Sequence, residues 1–258
     1  MRITKIEKKK RLYLLELDGK ESLYITEDTI VRFMLSKDKE ITENELQEIR
    51  DFAQFSYGKN IALYFLSFKQ RTKKEVLDYL KKYKIKEANA VKIITALQEE
   101  RWIDDKSYVE TYVRQNGLNG DKGPALIRQK LITKGISKSV IDSCLVEVDF
   151  SNLIEKKKKK MLRKYQDKLP IRALQDKIVQ GLINKGFTYD LARKTVGQLD
   201  ISADDNMEAD LISKELEKLY RKYSRKYDGY ELKQRLIQAL ARKGFEFDQI
   251  QAVLRNYL

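Results

Sequence analysis

The chain reads IRQKLITKGISKSVIDSCL over residues 127–145, and this stretch contains a pattern that recurs. Relative to Gly135, apolar residues stand at positions −8, −4, +1, +6 and +10. The same frame surrounds Gly186 and Gly244, and a fourth copy surrounds Lys84. The four central residues are 51, 51 and 58 positions apart. A period of this length is typical of a duplicated supersecondary unit whose copies stack to share a core.

Each copy has the pattern of three helices, with the central residue in a turn between the second and the third. Apolar residues recur at helical spacing on both sides of that turn, and a glycine after a helix favours a left-handed cap. Because Lys84 replaces glycine, we expect the first copy to close its turn differently. The predicted units are residues 60–103, 104–149, 150–203 and 204–258. The fold class predicted is mainly α, with tandem three-helix repeats in an elongated array.

Residues 1–59 have no later copy and are predicted to form a separate module. Apolar residues alternate on both sides of Asp18-Gly19, which is typical of a hairpin turn, and a strand near residues 3–6 would add a third. Helical spacing begins at Glu27, and a second helix is predicted over residues 43–57, before the first repeat helix near Ile61. We therefore expect a small N-terminal β-hairpin and helix module.

The composition excludes the commonest catalytic and metal-binding chemistry. The 258 residues include no histidine and a single cysteine, which excludes histidine-based triads, histidine-containing zinc sites and internal disulfide bonds. The glycines at 117, 120 and 123 lack the Lys-Ser/Thr ending of a phosphate loop. Asp104 and Asp105 stand at a predicted helix start, where capping accounts for both carboxylates. We expect no enzymatic activity, no metal and no cofactor.

The same composition indicates a compartment. No stretch approaches the roughly 18 consecutive apolar residues of a membrane helix, and MRITK at the start is not followed by an apolar signal-peptide core. One cysteine fits a reducing environment. We expect a cytoplasmic protein without a membrane partner.

The net charge of +14 is concentrated in the middle of the chain. It is 0 for residues 1–60, +5 for 61–150, +8 for 151–200 and +1 for 201–258. Such a field attracts polyanions, of which nucleic acid is the commonest soluble one. Five consecutive lysines, residues 156–160, form the strongest local signal. We interpret them as a solvated helix turn that contacts a polyanion, with an ordinary charged helix face as the alternative.

Three other features have competing interpretations. The basic cluster between Lys218 and Lys226 includes Tyr220, which lies off the apolar stripe and is either a base-stacking ring or part of the packing. Trp102 is expected to pack between repeats. Helix–turn–helix units also occur in DNA-reading proteins, but the polar faces of the four last helices differ, which favours recognition of shape or charge.

Three segments of the chain resemble the RecX regulatory family. They are LYFLSFKQRTKKE at 63–75, LQEERWIDDKSYVETYV at 97–113, and the helix running from Gly123-Pro124 to Gly135-Ile136. The resemblance covers residues 60–258 and is most specific over 63–136. It implies tandem three-helix units and a non-enzymatic regulator of a RecA-type recombinase.

The resemblance further implies that the chain lies in the groove of a recombinase filament on DNA and blocks its extension or promotes its disassembly. It thus implies an effect on homologous recombination, DNA repair and the SOS response, and contact with single- and double-stranded DNA by a monomer. The residues expected to contact phosphate or the filament groove are Lys157, Lys160, Arg163, Lys164 and Arg172, with Arg71, Lys73, Arg128, Lys130 and Lys134 as secondary contacts. Two alternatives stay open: a general DNA-binding repeat protein without a recombinase partner, and a structural adaptor whose lysines keep it soluble.

Overall fold

The computed structural model describes residues 1–199 and 205–257, without the side chains of 205–207. It is mainly helical with a small N-terminal sheet, which confirms the predicted fold class. The chain forms two compact units: residues 1–114 with 128–146, and residues 115–127 with the described part of 147–258. The elements are β1 (Ile3–Lys9), β2 (Leu12–Leu17), β3 (Glu21–Ile25), α1 (Glu27–Phe33), α2 (Glu43–Ser67), α3 (Lys73–Lys82), α4 (Glu87–Glu99), α5 (Asp105–Asn119), α6 (Pro124–Thr133), α7 (Lys138–Val146), α8 (Ser151–Tyr165), α9 (Ile171–Asn184), α10 (Tyr189–Gly197), α11 (Asp205–Tyr223), α12 (Gly229–Arg242) and α13 (Phe247–Tyr257).

The three strands form an antiparallel sheet in chain order, as the N-terminal pattern predicts. Asp18 and Gly19 have φ values of 50° and 68°, and the N–H of Lys20 donates to the carbonyl of Leu17 at 3.0 Å. A positive φ at both central residues is the twist-compatible hairpin turn that Asp-Gly favours. The buried face of the sheet packs with Leu46, Ile49 and Ala53 of α2.

Helix α2 continues where two helices were predicted, so that expectation was wrong. It runs for 25 residues and begins with a capping box in which Thr42 and Glu45 satisfy each other's backbone N–H groups. Its first half packs on the sheet, and its second half, including Ala62, shares a core with α3 and α4. Gly58 does not break the helix; a Cβ there would lie 2.5 Å from Cδ1 of Ile93. The glycine therefore permits close approach to α4.

The repeat frame is the core of the helical region. All twenty apolar frame residues are at most 7% exposed, from Val76 in the first copy to Leu254 in the fourth. The second half of α2 shares a core with α3 and α4, α8 with α9 and α10, and α11 with α12 and α13. Helices α5, α6 and α7 lie between the first and second of these sets in chain order. Because every copy buries the same five positions, the spacing read from the sequence identifies the core of each repeat.

Each middle helix ends in a residue with left-handed backbone geometry. The φ values are +57° at Lys84, +83° at Gly135, +90° at Gly186 and +95° at Gly244. In all four copies the following residue donates its N–H to a carbonyl five residues back, at 3.2–3.4 Å, which is the Schellman motif. The expectation that Lys84 closes its turn differently was wrong, because the lysine adopts the conformation that glycine adopts elsewhere.

The three turn glycines also form a joint with the preceding repeat. A Cβ at any of them would lie within 2.8 Å of a residue in the first turn of the preceding middle helix. The pairs are Gly135 with Lys74, Gly186 with Leu126, and Gly244 with Ala173. Real Cβ atoms cannot approach so closely, so glycine is required there for contact as well as for φ. Lys84 belongs to the first repeat, which has no three-helix repeat before it, and this explains why a side chain is tolerated.

Other local predictions had mixed outcomes. Asp104 caps α5 as predicted, accepting the N–H groups of Lys106 and Ser107 at 2.9 and 3.0 Å. Trp102 is half exposed, so its predicted burial between repeats was wrong. The ring of Tyr220 packs edge-on against Tyr257, with centroids 5.3 Å apart, which favours the packing interpretation. Across the described residues, no helix is both long enough and apolar enough to cross a membrane.

The joint predicts opposite effects of substitution at equivalent positions. Lys84→Gly should raise the free energy of unfolding by about 0.5–1 kcal/mol. Glycine removes the strain of a side chain on a left-handed backbone, and this gain exceeds the cost of a more flexible unfolded chain. Gly244→Ala should lower it by about 2 kcal/mol, because the new Cβ meets Ala173. Urea unfolding followed by circular dichroism measures both. Lys84→Ala, which keeps the strained backbone, is the control and should change little; a destabilising Lys84→Gly would contradict the account.

Candidate polyanion-binding site

Lys134 lies in the joint between the first and second repeats rather than on an open surface. Thr72, the N-cap of α3, donates its hydroxyl to the Lys134 carbonyl at 2.8 Å. The Lys134 Nζ contacts Oε1 of Glu75 at 2.7 Å. Burial is the largest single influence and opposes the charge on both groups. The hydrogen bonds and opposite charges around each group, led by their mutual hydrogen bond, together outweigh it, so the pKa of Glu75 is lowered and the pKa of Lys134 is raised. This lysine therefore stabilises the joint.

The other secondary candidates do not form one site. The Arg71 guanidinium lies 4.0 Å from the centre of the Phe65 ring, and Arg128 Nε contacts Oδ1 of Asp142 at 2.6 Å. Lys73 and Lys130 are exposed. The backbone N–H of Lys73 donates to Oδ1 of Asp105 at 2.9 Å. The Asp105 carboxylate, at the start of α5, therefore also accepts a hydrogen bond from the first turn of α3. Sequence reasoning missed this second role.

The run of five lysines is largely exposed, but one of its members is not. Lys158 is buried, donates from Nζ to the carbonyl of Thr195 at 3.3 Å, and pairs with Glu155 at 2.8 Å. Its position on the inner face of α8 follows from helical periodicity, because Ile154 stands four residues earlier and is also buried. A lysine can occupy an apolar face when its alkyl stem is buried and its amine has a partner.

Three of the predicted residues line one cleft in the second unit, together with two that the sequence did not single out. We call this the lysine cleft, defined by Lys157, Lys160, Lys164, Lys177 and Lys185. Helix α8 supplies the first three, α9 supplies Lys177, and the turn after α9 supplies Lys185. The cleft has a volume of about 340 Å³, and Asp121 is the one carboxylate among its described lining residues.

The charges in the lysine cleft are only partly neutralised. Asp121 forms a short ion pair with Lys185 and lies 3.9 Å from the Nζ of Lys157. The hydrogen bond from Lys185 lowers the pKa of Asp121. Burial lowers the pKa of Lys157, and the neighbouring cations, including Lys185 and Lys160, lower it further against the opposite effect of Asp121. Crowded cations of this kind favour an added anion.

Close helix packing brings the cations together. A Cβ at Gly181 of α9 would lie 2.6 Å from the sulfur of Met161 on α8, so the glycine lets these helices approach. Lys164 of α8 and Lys177 of α9 then approach the same ring, that of Tyr165, with their Nζ atoms 4.9 and 6.0 Å from its centre. The missed residues had a signal: positions 177, 181 and 185 are four apart, on one helical face with a glycine between two lysines.

Arg163 and Arg172 are not part of the lysine cleft. Arg163 is exposed on α8. Arg172 lines a separate cleft of about 510 Å³ with three carboxylates, those of Asp176, Glu208 and Glu246. The five residues predicted as primary contacts therefore fall into one group of three and two separate positions. No group of three metal-ligating side chains occurs in the described parts of the chain.

Successive sets of three helices that repeat one apolar frame define the class of helical-repeat proteins. Residues 104–145 match the second three-helix domain of RecX, and residues 207–254 match its third. The chain is 59% identical to the regulatory protein RecX of Streptococcus pyogenes serotype M1 and 58% identical to that of Streptococcus pneumoniae (strain Hungary19A-6), over the full length of both chains in each case. The chain therefore belongs to the RecX family of regulatory proteins.

Two solved structures have a similar fold. A crystal structure of regulatory protein RecX superposes with a TM-score of 0.65 at 31% identity, covering 77% of this chain and all of the other. The crystal structure of RecX from Lactobacillus salivarius gives 0.55 at 36% identity, covering 58% of this chain and 98% of the other. These matches confirm the family resemblance seen in the sequence.

The Glu75–Lys134 pair predicts a pH-dependent contribution to stability. Lys134→Met should lower the free energy of unfolding by about 1 kcal/mol at neutral pH, because a partly buried carboxylate loses its partner. The folded-state pKa of Glu75 lies below its ordinary value, so the pair stabilises the fold above that value and the difference disappears as pH falls through the lowered pKa. Urea unfolding at several pH values measures this effect.

Arg128→Met is the matched control, because the Arg128 and Asp142 side chains are 44% and 48% exposed, against 23% and 27% for Lys134 and Glu75. Its cost should stay below about 0.5 kcal/mol. Equal costs for the two variants at all pH values would contradict the assignment of Lys134 to the joint.

Burial of Lys158 predicts unequal effects within the lysine run. Lys158→Ala should lower the free energy of unfolding by about 1–3 kcal/mol, because the buried stem and the bond to Thr195 are lost. Lys159→Ala, at an exposed neighbour, should stay within about 0.5 kcal/mol of the parent. Thermal or urea unfolding compares them, and equal stabilities would place Lys158 on the surface instead.

Proposed function

We propose that this chain is a non-enzymatic negative regulator of a RecA-type recombinase. It binds in the groove of the recombinase–DNA filament, blocks extension or promotes disassembly, and so modulates homologous recombination, DNA repair and the SOS response. Full-length similarity to proteins named regulatory protein RecX supports the regulatory role. In this proposal the chain acts in the cytoplasm as a monomer.

The observation that carries the proposal is the lysine cleft. Its described lining residues include five lysines and one carboxylate, so an unneutralised positive charge faces the solvent. DNA phosphates or acidic side chains of a filament would relieve the repulsion among these lysines, and phosphate contact would also release counterions. Arg163 and the exposed Lys130 and Lys73 are proposed as further contacts outside the lysine cleft.

The repeats support recognition of charge and shape rather than of base sequence. The last helix of every repeat buries two frame residues, at positions +6 and +10, so one face of that helix belongs to the core. The faces that remain carry different side chains in each copy. A filament groove offers a repeating pattern of charge, and a tandem array is suited to follow it.

We predict that the lysine cleft is required for inhibition. DNA-dependent ATP hydrolysis by a RecA-type filament should fall when this chain is present far below the recombinase concentration, because one molecule at a filament end blocks many subunits. Lys160→Glu with Lys164→Glu should raise the concentration for half inhibition at least about tenfold, through lost anion contacts.

Lys218→Glu with Lys222→Glu is the charge-matched control, since both residues are exposed on α11 and outside the lysine cleft. It should inhibit almost as well as the parent chain. If inhibition requires enough protein to saturate the DNA, the chain acts by competing for phosphate and the general DNA-binding alternative replaces the recombinase role. Equal loss in both double variants would remove the cleft from the mechanism.

A further inference from the structure

A second cleft lies in the first unit and is lined by aromatic rings and cations. We call it the tyrosine cleft, defined by Tyr57 and Tyr64 of α2, Tyr79 of α3 and Tyr83, the residue that follows α3; the β1–β2 turn flanks it. Its volume is about 710 Å³, within the range of ligand-binding clefts. Three cations, Lys9, Lys10 and Arg11, line the same cleft, and its described lining residues include no carboxylate. Lys9 is paired with Glu7, which lies outside that lining, at 2.5 Å. Neither the sequence pattern nor the proposed regulatory role accounts for it.

Two of its rings are available to a ligand. Tyr64 and Tyr83 are 53% and 45% exposed. Tyr83 accepts a hydrogen bond from the Tyr79 hydroxyl at 3.2 Å, and Tyr79 stacks flat on Phe65 with centroids 4.0 Å apart. Arg11 reaches over the Tyr64 ring at 5.6 Å. Tyr64 also packs edge-on with Phe68, with centroids 5.0 Å apart. The two rings are therefore held by contacts within the fold while about half of each stays exposed, and exposed ring surface of this kind can stack flat π-systems.

The turn beside the cleft has a backbone that its sequence does not favour. Lys10 and Arg11 form the two-residue connection between β1 and β2, and Lys10 has a φ of 51°. Glycine or asparagine is favoured at such a position, and the next hairpin of the same sheet uses Asp18-Gly19. A lysine there lowers stability by roughly 1 kcal/mol. The strained residue thus places a cation at the edge of the cleft.

We propose that the tyrosine cleft binds single-stranded nucleic acid, with bases stacked on Tyr64 and Tyr83 and phosphates on Lys9, Lys10 and Arg11. Exposed rings combined with cations are the physical requirements for binding unpaired strands without sequence preference. An acidic peptide would use the cations but not the stacking faces. The site lies outside the lysine cleft, and the inference does not depend on a recombinase partner.

The test uses the full chain and fluorescence anisotropy with a labelled oligothymidine of about 12 nucleotides, a length within the span of one single-strand-binding module. An abasic oligomer of equal length carries the same phosphates without bases. The parent chain should bind oligothymidine at least about fivefold more tightly than the abasic strand. Tyr64→Ala and Tyr83→Ala should each remove most of that difference, whereas Tyr64→Phe, which keeps a ring, should retain it.

Tyr230→Ala is the control, because Tyr230 is an exposed ring outside the tyrosine cleft. The Lys160→Glu, Lys164→Glu variant should weaken both oligomers alike, which separates this site from the lysine cleft. Equal binding of the two strands by the parent chain, or an undiminished difference in Tyr64→Ala, would overturn the proposal. Displacement of the strand by oligoglutamate without any dependence on bases would indicate an acidic peptide as the ligand and overturn it as well.

Discussion

The structure depends on the glycine in the turn after a middle helix, which has two roles. Each turn glycine adopts a left-handed conformation that ends the middle helix, and its missing side chain lets the turn meet the first turn of the preceding middle helix. At the second and third repeats, a carbonyl at the end of one helix also accepts a donor at the start of another: Lys134 from Thr72, and Lys185 from Gly123 at 2.6 Å. Unpaired groups at helix ends therefore satisfy one another across the joint.

This joint explains which features of the fold could be predicted. The buried positions are fixed relative to the turn, so the apolar frame in the sequence is sufficient to identify the core of all four repeats. The conformation of Lys84 was not predictable from its side chain, because the position is set by the cap geometry of its neighbours. Continuity of α2 was missed for a similar reason, since the fit of Gly58 against Ile93 involves residues that are far apart in sequence. The repeat boundaries stay a prediction.

The site was predictable only where charge and helical periodicity agree. Lys157, Lys160 and Lys164 share a face of α8, and the lysine run marked that helix. Lys177 and Lys185 come to the same place through the packing of α8 on α9, which a linear count of charges does not represent. Burial of Lys158 was missed because it depends on the carbonyl of Thr195, which lies 37 residues away in the sequence and reaches the amine only when α8 and α10 pack. Glu155, the other partner, stands on the same helix. Arg172 was grouped by sequence proximity, whereas its surroundings include three carboxylates.

The crowded amines around Asp121 have a consequence for the thermodynamics of the free protein. Their repulsion is greater in the folded state, where α9 and the turn after it add Lys177 and Lys185, than in the unfolded chain, so a small anion that enters the cleft binds the folded form preferentially. The apparent melting temperature should then depend on the identity of the buffer anion, rising in phosphate or sulfate relative to chloride at equal ionic strength. The buffer anion is thus itself a ligand, and stabilities measured in different salts refer to different degrees of anion occupancy in the lysine cleft.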